Sequence, residues 1–278
     1  MREREPSRTA LAAAGYRAAQ QALDGGALFS DRFANAILGL GAEPLIAAVA
    51  ADPAQAMVRL FMAARSRFAE DCVAAAVARG VRQAVVLGAG LDTFALRNPH
   101  AGLRVFEVDH PETQAWKLAR LAAAGLAAPP SLTFAPVDFE TGGLAQGLAA
   151  VGFDPDAPAV FVWLGVVPYL RRAAIEATLR DIAVVPGAEV IFDYSEPLEN
   201  QPPERRAEMM ALADRAAAVG EPWLSHFDPA QIAGILADHG LTDQEDLGLG
   251  GIAHRYLGAP AVDADAPGPH VIRARTVL

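Results

Sequence analysis

The chain has one cysteine, Cys72, in 278 residues. That excludes an internal disulfide and a zinc site built from several thiolates, and it suits a reducing cytoplasm. Positive charge is also scarce: 23 Lys and Arg stand against 33 Asp and Glu, a net charge of −10. A general nucleic-acid binder needs a basic face, and an anionic membrane attracts one, so neither partner is expected. The opening "MREREPSRTALAAAGYRAAQQAL" lacks the marks of a secretory leader. Glu3 and Glu5 stand where a leader is basic, and Arg17 interrupts the apolar run. Long clean apolar runs are missing as well; the one over residues 121–137 is broken by Pro129, Pro130 and Pro136. His110, His239 and His254 have no metal-like spacing, and there is neither a Gly-X-Ser-X-Gly elbow nor a Walker loop. No metal is expected.

What is present is a globular composition, 53% hydrophobic and 20% charged. The length fits one domain over residues 1–278. Residues 1–80 read as helices forming a cap. "SRTALAAAGYRAAQQAL" opens on Ser7 as N-cap and stops at Gly25-Gly26. A longer helix starts near Pro53 and ends at Gly80, with Val58, Phe61, Met62, Phe68, Cys72 and Val73 at helical spacing.

From residue 81 to 278 the pattern changes. Short β-rich runs occupy 83–88, 103–109, 132–138, 159–165, 188–195 and 270–278, with helical patterns at 111–125, 171–185 and 228–240. Strands alternating with helices predict a parallel sheet covered on both faces. The connection 196–227 is long, should carry a helix, and is a candidate substrate lid.

In such a sheet, ligands bind at the carboxyl ends of the strands. The first three runs end in Gly88-Ala89-Gly90, Asp109 and Asp138. Glycine lets backbone approach a ligand closely, and an acid ending the second strand suits ribose hydroxyls. The third glycine of a dinucleotide fingerprint is missing, because Leu91-Asp92-Thr93 follows Gly90. Asp92 would repel a pyrophosphate but suits a cationic ligand. S-adenosylmethionine carries a sulfonium, an ammonium, an adenosine and one carboxylate. It is the cofactor expected.

"VVLGAGLDT" followed by "FEVDHP" resembles the class I S-adenosylmethionine-dependent methyltransferases of the leucine carboxyl methyltransferase type. It is similar in particular to a bacterial branch that includes polyketide-tailoring O-methyltransferases. "AARSRFAED", "PVDFE", "WLGVVPYL", "FDYSEP" and "GEPWLSHFDP" agree in order. The resemblance implies a Rossmann-like α/β fold: a mostly parallel sheet of seven strands, the last antiparallel, beneath the helical cap. It implies Gly88, Ala89 and Gly90 under the methionine moiety, Asp109 with His110 at the ribose, Asp138 and Phe139 around the adenine, and Arg65 on the cofactor carboxylate. One departure is Leu164, which stands where the leucine carboxyl methyltransferases carry a glutamate. A protein-phosphatase substrate is therefore not carried over.

Plainer roles stand beside these. Gly88 and Gly90 suit any tight strand-to-helix turn, Asp138 a turn, Asp92 a helix cap, and Arg65 a solvated helix face. Arg67 faces away from Arg65. Arg17 points either to the cavity or into a surface ion pair. Trp163 and Tyr169 flank the end of the fourth strand, where a small-molecule methyl acceptor would enter. Tyr169 and His226 are the candidate catalytic bases, needed for a hydroxyl acceptor and not for a carboxylate. The rival functions are a nicotinamide-dependent oxidoreductase and a non-catalytic cofactor-binding domain.

Overall fold

A computed structural model of the chain describes residues 8–139, 143–218, 220–262 and 266–277. Ser7, the expected cap of the first helix, lies outside the described residues. The strands are β1 (Gln83–Leu87), β2 (Arg104–Asp109), β3 (Leu132–Pro136), β4 (Ala159–Trp163), β5 (Glu189–Ser195), β6 (Asp243–Leu247) and β7 (Pro269–Arg275). They form one sheet of seven strands in the order β3-β2-β1-β4-β5-β7-β6. β7 runs antiparallel to both β5 and β6, and the other neighbours are parallel.

All five residues of β1 are buried, because helices cover both faces of the sheet. Val85 and Leu87 enter one core with Phe106, Phe161 and Trp163, while Ala84 and Val86 enter the opposite one with Phe68, Val105 and Val160. That alternation is the two-residue period of a strand buried on both sides. The seven strands agree with the resemblance, but the six apolar runs do not locate β6, nor the helix α11 that follows it. "DQEDL" is a polar edge strand, half-exposed throughout, so it lacks the apolar run that betrays the inner strands.

The cap consists of α1 (Arg8–Asp24), α2 (Ala34–Leu38), α3 (Ala42–Ala51) and α4 (Ala54–Ala78). A third apolar cluster joins Ala14, Ala18, Ile37 and Leu38 to Leu91 and Leu121. It fastens the cap over the ends of β1 and β2. By length and composition, Ala34–Ala51 is apolar enough to cross a membrane, with a mean hydropathy of 1.5. In the fold it is not one rod: a 3-10 turn at Gly39–Gly41 separates α2 from α3.

The remaining helices are α5 (Phe94–Arg97), α6 (Pro111–Ala123), α7 (Leu144–Ala149), α8 (Arg172–Ala183), α9 (Pro203–Ala218), α10 (Pro229–Asp238) and α11 (Leu249–Leu257). α6 begins directly after β2, with His110 as N-cap and Pro111 in its first turn. α10 begins with a capping box between Asp228 and Gln231. His239 is its C-cap, as its place before Gly240 predicts.

Candidate active site

The strand order reverses between β1 and β4, and there a cavity of about 840 Å³ opens at the carboxyl ends of the strands. Arg65, Gly88, Ala89, Gly90, Asp109, His110, Asp138, Phe139 and Tyr169 all line it. They come from five different stretches of sequence. The fold converges them because α4 packs along one face of the sheet, bringing Arg65 toward the carboxyl ends, while β1, β2 and β3 stop at adjacent positions.

The turn after β1 is shaped by its glycines. Gly88 has φ +62°, and a Cβ there would lie 2.4 Å from Val166 Cγ2. Left-handed backbone costs other residues about 1–2 kcal/mol, and the crowding adds to that. Gly88→Ala is therefore expected to destabilise the protein by roughly 1–3 kcal/mol. Chemical denaturation would measure it; an unchanged midpoint would show that the turn tolerates a side chain.

The Asp109 carboxylate closes this turn. Its Oδ2 accepts from the Gly90 amide at 2.6 Å, and its Oδ1 from the His110 amide at 2.7 Å. A carboxylate has about four acceptor positions, so each oxygen keeps capacity toward the cavity. Burial raises the Asp109 carboxyl above its ordinary range, against the pull of those two amides.

Asp92 does cap the turn that follows: its Oδ1 accepts from the Phe94 amide at 2.7 Å. Beside it lies a largely buried network, in which Asp92 acts on Arg97 through charge and not through a hydrogen bond. Arg97 Nη1 lies 2.6 Å from Glu70 Oε1, and Thr93 Oγ1 donates to Asp31 Oδ1 at 2.6 Å. Of the two alternatives for Arg17, the cavity-facing one holds and the surface ion pair does not. It lines the cavity, and it is ion-paired, but the pair is buried rather than at the surface: its Nε donates to Asp31 Oδ2 at 2.9 Å and its Nη2 to the Leu91 carbonyl at 2.7 Å. Burial alone would raise the Asp31 carboxyl, yet Arg17 and Arg97 together hold it below the usual range. Burial pushes the Glu70 carboxyl up to about 7, with Arg97 opposing and Asp92 adding repulsion. The whole network sits behind the glycine turn and fixes it to the cap.

Arg65 is not a solvated helix residue; it is 8% exposed. Its Nη1 donates to Asp193 Oδ2, while its buried Nε has no hydrogen-bond partner among the described residues. The other oxygen of Asp193 accepts from the Gly165 amide at 2.5 Å. Asp193 thus ties α4 to the turn after β4. Sequence reading passed over it, although an acid inside the apolar run "VIFDY" is itself a signal. Arg67 turns away, as its spacing predicts, and pairs with Asp71 at the surface.

The far wall is built by the segment after α9. The Leu224 and Ser225 amides both donate to the Pro168 carbonyl, at 2.7 and 3.2 Å, and Ser225 Oγ donates to the Leu170 carbonyl at 2.6 Å. This pins Trp223 beside Tyr169, and both line the cavity. Burial raises the Tyr169 phenol above its ordinary value. Two expectations are corrected here. Trp163 is fully buried and packs against Phe192 in the core, so it faces no acceptor. His226 does not line the cavity; the pinned backbone directs it elsewhere, edge-on to Trp223 at 6.2 Å between ring centroids. Burial lowers its imidazole, and its Nε2 has no partner among the described residues.

The family profile described as leucine carboxyl methyltransferase matches residues 10–183, the stretch that holds the cap, the glycine turn, Asp109, Asp138 and Tyr169. The chain belongs to the leucine carboxyl methyltransferase family. A Bacillus subtilis (strain 168) protein named "Putative S-adenosyl-L-methionine-dependent methyltransferase YktD" is 35% identical over 188 residues, 66% of this chain and 62% of that protein. The match therefore spans less than two thirds of that relative's length. A Parafrankia sp. (strain EAN1pec) protein, "Putative S-adenosyl-L-methionine-dependent methyltransferase Franean1_4929", is 32% identical over 246 residues, 86% of this chain and 77% of its own. Among solved structures, magnesium protoporphyrin IX methyltransferase from Synechocystis PCC 6803 with bound SAH covers 81% of this chain and 88% of its own, at 16% identity and a TM-score of 0.49. The family is one of S-adenosylmethionine-dependent methyltransferases, and S-adenosylmethionine is its cofactor.

Proposed function

We propose that this family member is an O-methyltransferase that moves the methyl group of S-adenosylmethionine to a carboxylate or hydroxyl of a small molecule, such as a polyketide or another secondary metabolite, in the cytoplasm. The observation that carries the reading is one cavity lined both by polar strand ends and by apolar and aromatic side chains. The glycine turn, Asp109 and Asp138 line it from the strand ends, Met62 and Arg65 from α4, and Tyr169, Leu212 and Trp223 from the segments after β4 and β5. The strand-end groups suit an adenosine with an amino-acid tail, and the aromatic and apolar groups an apolar acceptor.

The residues fit the cofactor. Asp109 keeps acceptor positions for ribose hydroxyls, and Phe139 lies next to Asp138 as an apolar wall for an adenine. Arg65 lines the same cavity with a buried guanidinium whose Nε is unsatisfied, which supports a role for it on the cofactor carboxylate. When bound, the cofactor supplies an electrophilic methyl on a good leaving group. The chain's own task is then to align an acceptor oxygen with that methyl and to exclude water. Asp92 and the absent third glycine disfavour a nicotinamide cofactor at the same turn.

Incubation with S-adenosylmethionine and a panel of phenols and carboxylic acids tests this. The expected product pair is S-adenosylhomocysteine with a methyl ether or ester, read by mass spectrometry. Hydride transfer to or from a nicotinamide by the same preparation, without S-adenosylhomocysteine, would contradict it.

A further inference from the structure

We infer that Glu221 is the acceptor-side base, and that the methyl acceptor is accordingly a hydroxyl compound, a phenol or alcohol, rather than a carboxylate. The inference rests on the methyltransferase reading and adds a residue and a substrate class to it.

Among the described residues, four carboxylates line the cavity: Asp92, Asp109, Asp138 and Glu221. The first three sit at or just beyond the ends of β1, β2 and β3, on the side assigned to the cofactor. Glu221 alone comes from the opposite wall, two residues before Trp223. The chain places it there deliberately in the geometric sense. α9 ends with the Gly220 amide bonded to the Ala217 carbonyl and the Glu221 amide to the Ala216 carbonyl, both at 3.0 Å. Gly220 has φ +83°, a left-handed helix stop that reverses the chain. The reversal carries Glu221 to the start of α1, where its Oε2 accepts from the Thr9 amide at 3.0 Å. Its Oε1 has no hydrogen-bond partner among the described residues. Arg8, Tyr16, Arg17, Arg65 and Tyr169 also line the cavity, and Tyr169 feels the charges of Arg65, Asp193 and Glu221.

That arrangement is a carboxylate with one oxygen fixed and the other available, beside an aromatic wall. An acceptor hydroxyl lying along Trp223 would donate its hydrogen to Oε1. As the acceptor oxygen bonds to the methyl carbon, the sulfur–carbon pair returns to sulfur. The hydroxyl proton passes to Glu221, which gives it to water when the site opens. An ionised carboxylate acceptor would instead meet a like charge at this wall, which discriminates against it.

4-Nitrophenol is a direct probe, because its phenolate is coloured and its phenol is not. It is titrated into protein saturated with S-adenosylhomocysteine, at a series of pH values. A neighbouring carboxylate favours the neutral phenol and disfavours the phenolate. The bound probe is expected to hold its proton about tenfold more strongly than the free one, a shift of roughly one pH unit. Glu221→Gln keeps an oxygen for the Thr9 amide; it should abolish that shift while S-adenosylhomocysteine affinity stays within about twofold. A shift that survives in Glu221→Gln and disappears in Tyr169→Phe would move the role to Tyr169 and overturn the inference. So would the absence of saturable 4-nitrophenol binding to the loaded protein. Failure of S-adenosylhomocysteine itself to bind would instead strike the methyltransferase reading beneath, and the inference would fall with it.

Discussion

Asp109→Ala is expected to weaken S-adenosylhomocysteine binding by roughly 10- to 150-fold, the equivalent of about 1.5–3 kcal/mol for hydrogen bonds to a charged group. Two losses add. The ribose hydroxyls lose a charged acceptor, and the Gly90 and His110 amides lose the carboxylate that now fixes them. The second loss loosens the turn on which the methionine end would rest. Asp109→Asn separates the two. An asparagine retains one acceptor oxygen, so it can hold the Gly90 amide but not serve both amides and a ribose. Its defect should fall between wild type and alanine. Calorimetric titration reads both variants. Equal affinity in wild type and Asp109→Ala would mean that the carboxylate only shapes the turn.

The largest expected effect on stability is at Lys117. Its Nζ lies 2.5 Å from Glu107 Oε2, with the two side chains only 2% and 1% exposed. The pair bridges α6 and β2 directly below Asp109. Removing one partner of such a pair strands a buried charge, so Lys117→Met should cost about 3–5 kcal/mol. Replacing both, as Glu107→Leu with Lys117→Met, should recover most of that loss.

pH gives a second handle on the same pair. Burial pushes the Glu107 carboxyl from its ordinary 4.5 up to about 7, with Lys117 opposing. The folded state thus keeps a proton that the unfolded chain has already released. The stability linked to this group is fully present below 4.5 and is lost as pH rises through about 7. Without Lys117 the carboxyl takes up its proton at higher pH still. The deficit of Lys117→Met should therefore be larger at about pH 8 than at about pH 5.5, as urea unfolding would show. A deficit that grows on acidification would contradict the buried-charge explanation.

Much of this site was legible in the chain because strand ends announce themselves. Gly88, Gly90, Asp109 and Asp138 each follow an apolar run, and all four line the cavity. The cap was legible from the helical spacing around Phe61 and Phe68, both buried. β6 was not, since an edge strand of mostly polar residues carries no apolar signature. Side-chain direction was the other blind spot. Trp163 and Leu164 are adjacent, yet they point to opposite faces of the sheet, and only Leu164 reaches the cavity. His226 and Glu221 lie five residues apart in one segment. Which of them faces inward depends on the bonds to the Pro168 carbonyl and on the Gly220 stop, both long-range or conformational facts. Asp193 escaped notice for a similar reason: its partners, Arg65 and Gly165, are far away in sequence.

The most direct test of the central claim is a calorimetric titration of the wild-type protein with S-adenosylhomocysteine and, separately, with NAD. Saturable binding of one S-adenosylhomocysteine per chain, with no heat from NAD, is the expected result. NAD binding without S-adenosylhomocysteine binding would contradict the assignment of this cavity to a methyl donor.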